Sequence, residues 1–279
     1  MFVTALMALA IISPSPTDTP HTASMDISTG RPVVEVMING EGPFPFIFDT
    51  GASGAMIRTS LVETLSLELG ERRPVGSPAG GDPVEVDTTQ LSEIQLGGAQ
   101  ANDIGAIIID FGDPTQMGSV GVIGPDIFAD YGRVAYDFLL NRVEIGGELR
   151  HATDATWLSF APTSPLIEIP LRVEDVSLPV HIDTGNPSTL TFPETRINEL
   201  PITAPARVVG EARTIDRVME IQMAPIDASA FIGDAEIPLS RITTLPLPFA
   251  NMGTAALIGL YLEIDWRTHR VAISDGGEN

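Results

Sequence analysis

Two copies of the tripeptide Asp-Thr-Gly are the residues of this chain best suited to chemistry. The first lies in "FIFDTGASGAMI" (residues 46–57) and the second in "LPVHIDTGNPSTLTF" (residues 178–192). In each copy an apolar run that reads as a buried strand ends at a carboxylate, and a glycine turn follows. Asp49 and Asp183 are 134 residues apart. A chain of this length would contain ~0.06 such tripeptides by chance at average residue usage.

Two carboxylates brought into contact would form an acid–base pair. The two groups cannot readily be ionised at the same time, because the charge of one disfavours ionisation of the other. The pair therefore shares a proton and titrates as a unit. The ionised partner can take a proton from a water molecule that attacks a carbonyl carbon, while the protonated partner donates to the carbonyl oxygen.

The other residues of each motif suit a loop that supports such a pair. Gly51 and Gly185 allow a tight turn and leave backbone N–H groups free to donate to the carboxylates. Thr50 and Thr184 carry hydroxyls that can bond to the backbone of the opposite loop. The apolar flanks exclude water and keep the effective dielectric constant low.

An internal repeat predicts that the two loops occupy equivalent positions. Besides the two motifs, three further pairs of segments match in the same order: "RPVG" (73–76) with "RVVG" (207–210), "GVIGPDIF" (121–128) with "ALIGLYLE" (256–263), and "YDFLLNRVEI" (136–145) with "IDWRTHRVAI" (264–273). The order indicates duplication and fusion. The offset falls at the last pair, which predicts that the second copy lacks a short piece near "FADYGR".

The elements that position the loops read as β-strands in both copies. Short segments rich in Val and Ile, often alternating, are separated by Gly, Pro and Asp. We therefore predict an all-β protein of two similar β-barrel-like lobes with a cleft between them. The predicted units are a signal peptide and flexible segment (1–27), an N-terminal lobe (28–150) and a C-terminal lobe (151–279). Equivalent loops can meet across a pseudo-twofold axis.

The motifs "FDTGA", "IDTGN", "VIG" and "LIG" together resemble those of the aspartic protease family. The resemblance runs from about residue 30 to 275, in the bilobal pepsin-like arrangement, and the halves are similar to retropepsin-like bacterial aspartyl proteases. It implies the acid protease fold, with "VIG" and "LIG" in the psi-shaped core beneath each loop. It also implies an aspartic endopeptidase that hydrolyses peptides or proteins as a monomer without a cofactor or metal. Its catalytic pair would be Asp49 and Asp183, and its loop-locking residues Thr50 and Thr184.

The chain departs from the pepsin-like pattern beside both motifs. Ala52 and Asn186 stand where that pattern has Ser or Thr, whose hydroxyl stabilises an aspartate's charge. Losing the donor at Ala52 should raise the apparent pKa values of the pair, so we expect activity at mildly acidic pH.

The segment that should close over the substrate is a second departure. The candidate hairpin, "VGSPAGGDPVEV" (75–86), contains Gly76, Gly80 and Gly81 but lacks the tyrosine of pepsin-like flaps.

Three alternatives to a catalytic pair follow from the residues. One Asp-Thr-Gly alone would be an ordinary turn at the end of a strand, but two copies on matching frameworks disfavour this. The chain could be a non-catalytic descendant that binds peptides or a partner through its cleft. Each half could also pair with its counterpart in a homodimer, which direct fusion disfavours because tethering promotes intramolecular pairing.

Composition excludes several other classes of function. The formal net charge is -22 and every basic residue is arginine, which argues against nucleic acid as a partner. The absence of cysteine excludes disulfides and thiolate chemistry, and the four histidines show no metal-ligand spacing.

The N-terminal run "FVTALMALAII" (2–12) is too short to span a bilayer but suits the apolar core of a signal peptide. It predicts a periplasmic or secreted protein, with the cytoplasm as the alternative. No Lys or Arg precedes the run, and the cleavage site is ambiguous between Leu9-Ala10 and His21-Thr22-Ala23.

Overall fold

The computed structural model describes residues 19–76, 82–150, 156–164, 166–213 and 217–275. In the N-terminal half these residues form short strands with two short α-helices and one 3₁₀ helix. The elements are β1 (His21–Asp26), β2 (Val33–Ile38), β3 (Glu41–Phe48), β4 (Ala55–Ile57), α1 (Thr59–Leu65), β5 (Arg73–Val75), β6 (Val84–Val86), β7 (Thr88–Leu96), β8 (Ala99–Ile108), α2 (Pro114–Met117), β9 (Gly121–Ile123), the 3₁₀ helix Pro125–Tyr131, β10 (Arg133–Asp137) and β11 (Arg142–Ile145).

The described part of the C-terminal half contains strands and 3₁₀ helices. The elements are β12 (Leu158–Ser159), β13 (Glu168–Val173), β14 (Val176–Ile182), β15 (Leu190–Pro193), the 3₁₀ helix Glu194–Glu199, β16 (Arg207–Arg213), β17 (Val218–Ile232), β18 (Ala235–Leu245), β19 (Ala250–Met252), the 3₁₀ helix Thr254–Ala256, β20 (Leu260–Asp265) and β21 (Arg270–Asp275).

Each half closes a barrel of six strands in the same order. In the first, β2-β3-β9-β4-β8-β7 is closed by pairing of β2 with β7, and in the second, β13-β14-β19-β15-β18-β17 is closed by pairing of β13 with β17. The period-two alternation of β3 sends Phe46 and Phe48 into the core, where both are fully buried. The predicted all-β, duplicated fold is confirmed.

A third sheet joins the halves, in the order β12-β21-β20-β10-β11-β1. Strand β10 of the first half pairs antiparallel with β20 of the second, placing Val134 opposite Ile264. Buried Arg133 bridges the junction, since Nη2 lies 2.7 Å from Glu144 Oε2 and Nε lies 2.5 Å from Glu263 Oε1. The halves therefore share part of their framework.

The predicted boundary at residue 27 is wrong, because β1 belongs to the folded part. Strand β1 pairs with β11 from His21 opposite Ile145 and also pairs with β2. Its Met25 is buried while its neighbours are small or polar, a pattern too short to stand out in the sequence. Cleavage after Ala23 would cut this strand. The predicted signal-peptide core, residues 2–12, lies outside the described residues.

The predicted pairing of "LIG" (257–259) with "VIG" (122–124) is also wrong. Strand β9 runs parallel to β3, and the strand that runs parallel to β14 in the same way is β19. The counterpart of "VIG" is therefore "NMG" (251–253). The sequence comparison missed it because an asparagine replaces the first apolar residue.

The predicted location of the missing piece in the second copy, near "FADYGR", is therefore wrong as well. Residues 109–120, including α2, connect β8 to β9, whereas only residues 246–249 connect β18 to β19. The second copy is therefore shorter at this connection.

Within the described residues, no helix is both long and apolar enough to cross a bilayer.

Candidate active site

Asp49 and Asp183 occupy equivalent positions at the ends of β3 and β14. The N–H of Asp49 donates to the carbonyl oxygen of Ile123 (2.9 Å), and the N–H of Asp183 donates to that of Met252 (2.8 Å). Each carboxylate is therefore held where a parallel neighbouring strand also ends.

Thr50 and Thr184 lock the two loops together through four hydrogen bonds. Each hydroxyl accepts from the other threonine's backbone N–H, at 3.0 Å for Thr50 N–H and 3.1 Å for Thr184 N–H. Each hydroxyl also donates across the interface, Thr50 to the carbonyl oxygen of Ile182 (2.7 Å) and Thr184 to that of Phe48 (2.9 Å). Both threonines are fully buried. The loops are therefore fixed in contact by a symmetric set of bonds, as the sequence led us to expect.

Gly51 and Gly185 let the two carboxyl groups approach. A Cβ atom at Gly51 would lie 2.6 Å from Asp183 Oδ1, and one at Gly185 would lie even closer to Asp49 Oδ2. The N–H groups of both glycines donate to the same atom, Asp49 Oδ1, each at 2.7 Å. Asp49 thus has two fixed donors, one from each half, and these favour its ionised form.

Asp183 has different surroundings from Asp49. Its Oδ2 accepts a hydrogen bond from Asn251 Nδ2 at 2.8 Å, and its carboxyl group is hydrogen-bonded to that of Asp49. Burial raises the pKa of Asp183 well above its ordinary value, and the charge of Asp49 raises it further, although the backbone N–H groups of Asn186 and Gly185 oppose the rise. Burial also raises the pKa of Asp49, but the two glycine N–H groups, the bond from Asp183 and Arg31 oppose the rise. The shared proton therefore belongs on Asp183.

Arg31 is a cation at the site that sequence reasoning missed. It is half-buried between β1 and β2, and its Nε donates to the carbonyl oxygen of Gly185 at 2.7 Å. Its charge lies close enough to both aspartates to favour their ionised forms. No motif surrounds Arg31 in the sequence, so only the fold reveals its place.

Ala52 and Asn186 lie in the two loops, and among the described contacts neither side chain donates a hydrogen bond to an aspartate. Their backbone N–H groups donate to the carbonyl oxygens of Asp49 (3.2 Å) and Asp183 (3.1 Å) respectively. Asn186 braces its own loop instead, because Nδ2 donates to Thr191 Oγ1 at 2.9 Å and Oδ1 accepts from Ser188 N–H at 3.0 Å. The donor expected at this position is supplied to Asp183 by Asn251. Sequence reasoning missed Asn251 because the wrong segment was matched to "VIG".

The strands next to the two loops carry different side chains on the face that points away from the barrel core. These strands are β3, β9 and β4 in the first half and β14, β19 and β15 in the second. Beside Asp49, Ile47 and Val122 are neighbours in the β3–β9 register, and Met56 of β4 lies opposite Val122. The equivalent row beside Asp183 is His181, Asn251 and Thr191. The first row belongs to a small apolar cluster whose other members are Val33, Ala52, Phe111 and Met117. The second row is polar, and His181 Nε2 lies 3.2 Å from Glu168 Oε2.

The predicted flap is only partly described. Strands β5 and β6 pair as an antiparallel hairpin stem, with Arg73 opposite Val86. Gly76 follows β5 and is exposed, whereas Gly80 and Gly81 lie outside the described residues. The flap therefore stays a prediction.

Acidic and histidine side chains do not gather into a metal-binding group of three or more in the described part of the chain.

A protein-family model described as Aspartyl protease matches residues 34–127. The matched region runs from β2 to the 3₁₀ helix after β9 and includes the first Asp-Thr-Gly loop. A search of curated proteins gives no match to this chain.

Proposed function

We propose that this chain is an aspartic endopeptidase with one active site built from both halves, a proposal supported by the Aspartyl protease family model that matches residues 34–127. The observation that carries the proposal is the meeting of two carboxyl groups in unequal surroundings. Asp49 Oδ1 accepts two backbone hydrogen bonds of 2.7 Å, whereas burial and a neighbouring charge raise the pKa of Asp183 well above the ordinary carboxyl value. In this proposal Asp49 is the base and Asp183 is the acid.

The first step adds water to the scissile amide. A water molecule held between the carboxyl groups attacks the carbonyl carbon and loses a proton to Asp49. Asp183 donates its proton to the carbonyl oxygen, so that no oxyanion has to persist in a buried site. The product is a neutral diol bound to a protonated Asp49 and an ionised Asp183.

The second step breaks the carbon–nitrogen bond. Asp49 gives its proton to the amide nitrogen, which leaves as an amine. Asp183 takes a proton from one hydroxyl of the diol, which becomes a carboxylic acid. Both aspartates return to their starting protonation states, and the four bonds between the threonines and the opposite half keep their geometry fixed through the cycle.

The proposed pH range follows from the two carboxyl groups. Activity requires one ionised and one protonated partner. Since the pKa values of both are raised, we expect activity at mildly acidic pH. A rate that peaks below about pH 3 would contradict this, because unperturbed carboxyl groups already titrate near 4.

The test is cleavage of a peptide library across pH by the wild type, Asp49→Asn and Asp183→Asn. A shared pair predicts loss of cleavage in both variants, by about 10³-fold or more, because each removes an essential acid–base group. Asp103→Asn is the matched control, since Asp103 is exposed and its positive φ of 56° suits asparagine. The control should cleave as the wild type does.

The alternative is a peptide-binding protein that no longer cuts. The observation that favours it is that the side chains of Ala52 and Asn186 donate no hydrogen bond to either carboxyl group among the described contacts. A wild type that folds and binds library peptides but cleaves none at any pH would favour it. Full activity in either single aspartate variant would overturn the shared pair.

A further inference from the structure

Asn251 donates a hydrogen bond to one aspartate of the pair and not to the other. Its Nδ2 donates to Asp183 Oδ2 at 2.8 Å, and the residue is only 9% exposed. Among the described contacts, Asp49 receives no hydrogen bond from a side-chain amide.

The internal repeat identifies which residue Asn251 replaces. Ile123 and Met252 are equivalent, because their carbonyl oxygens accept from the N–H groups of the two aspartates. The residues just before them are Val122 and Asn251. Val122 packs in the apolar cluster beside the first loop. A donor is therefore present in one half at a position that is apolar in the other.

Burial of the Asn251 amide lowers the stability of the fold. Its Oδ1 is buried without a hydrogen-bond partner in the described part of the chain. An unpaired buried acceptor destabilises a fold by about 1–3 kcal/mol. Such a residue contributes little to stability, so its contact with Asp183 needs another explanation.

We propose that Asn251 is a positioning residue that occupies Asp183 Oδ2, so that the proton carried by Asp183 resides on Oδ1. This rests on the proposed peptidase function. Oδ1 is the oxygen that lies against Gly51 of the opposite loop. A donor on Oδ2 lowers the proton affinity of that oxygen and leaves Oδ1 to carry the proton. The proton that Asp183 gives to a substrate carbonyl then starts from one defined atom.

The charged groups around Asp183 define what removal of Asn251 should change. Asp49 faces it from the opposite loop, and Arg31 approaches from the segment before β2. His181 on the same strand is paired with Glu168. Buried Tyr136 of β10 lies near Asp49 and Thr184, and its own pKa is raised by burial. None of these contacts is removed when the amide of Asn251 is replaced by an apolar group.

The consequence is a change in one limb of the pH profile. The amide stabilises the ionised form of Asp183, which appears only in the second ionisation of the pair. Replacing Asn251 should therefore move the alkaline limb of kcat to higher pH. The acid limb, which reports ionisation of Asp49, should stay in place.

The experiment compares Asn251→Leu with Val122→Leu, the matched change in the other half. For Asn251→Leu we expect a roughly 10- to 100-fold lower kcat, because a hydrogen bond to a charged group is lost, together with the alkaline shift and little change in KM. For Val122→Leu we expect both pH limbs to match the wild type. Asn251→Ser, which leaves room for a water to donate, should fall between Asn251→Leu and the wild type.

A second readout does not depend on cleavage. Carboxyl ¹³C NMR titration of the aspartates in the wild type and in Asn251→Leu should show the second ionisation of the dyad at higher pH in the variant. Coincident titrations and pH limbs would overturn the proposal and leave Asn251 as a packing residue. If the wild type cleaves nothing but the titrations differ as expected, the proposed peptidase function fails while the role of Asn251 in proton placement stands.

Discussion

The two Asp-Thr-Gly loops are alike in their backbone and unlike in their surroundings. The bonds that lock them are repeated almost atom for atom, with Thr50 and Thr184 exchanging roles. The rows behind them are apolar beside Asp49 and polar beside Asp183. After the duplication, the hydrogen bonds that join the halves stayed the same in both copies, whereas the side chains beside the loops diverged. The constrained part would hold the pair in contact, and the divergent part would decide how its members differ.

The largest expected effect would test the symmetric part of this comparison. Thr50→Val and Thr184→Val each leave a buried carbonyl and a buried N–H without a partner. At about 1–3 kcal/mol for each unpaired group, both variants should lose roughly 2–5 kcal/mol of unfolding free energy. Urea denaturation measures the loss. The serine variants keep the hydroxyl and should lose much less, and a large inequality between the two valine variants would break the symmetry.

The sequence predicted this symmetric part well. Asp-Thr-Gly is short, its residue types are constrained, and its repetition predicts both aspartates and both threonines. The divergent part escaped prediction because it depends on contacts between segments distant in sequence. Asn251 lies 68 residues from Asp183, and the motif around it had lost the apolar residue that would have identified it. Arg31 lies 154 residues from the carbonyl it binds. The length of the β18–β19 connection became clear only from strand register.

The next largest expected effect is a change in the pKa of Asp49 when Arg31 is replaced. Its positive charge favours the ionised form of Asp49, so Arg31→Met should raise the pKa of Asp49 further. The acid limb of kcat/KM should then move to higher pH, because Asp49 must be ionised to act as the base in the proposed mechanism. Arg31→Lys keeps the charge and is the control. An acid limb that does not move in Arg31→Met would mean that the cation has no influence on the pair.

The dependence of stability on pH should separate the aspartates without any substrate. Because the pKa of Asp183 is raised well above its ordinary value, the folded protein holds a proton that the unfolded chain releases. This contribution is fully present below the unfolded pKa of about 4 and is lost as pH rises through the folded pKa. We expect Asp183→Asn to reduce the pH dependence of the unfolding free energy more than Asp49→Asn does. Denaturant unfolding at a series of pH values measures it, and equal slopes in both variants would contradict the unequal pair.

The smallest expected effect concerns the apolar cluster beside Asp49. Met117 of α2 is partly exposed and packs on that cluster, where it could contact a substrate side chain. Met117→Gln keeps the shape but not the apolar character, so KM for peptides with an apolar residue beside the scissile bond should rise roughly threefold to tenfold. Leu140→Gln, in the exposed β10–β11 turn, is the control. An unchanged KM in Met117→Gln would remove the cluster from the substrate-binding surface.

The exchange of threonine bonds has a consequence for the newborn chain. The carbonyl of Phe48 is satisfied by Thr184, a residue made long after the first barrel's strands have been synthesised. The strand β20, which extends the sheet shared by the halves, is made later still. A chain that has folded only its first half holds one aspartate of the pair, Asp49, in a loop whose bonds to the second half are missing. Assembly of the pair therefore waits for synthesis of the second half, and under the proposed function an incomplete chain could not cleave its neighbours.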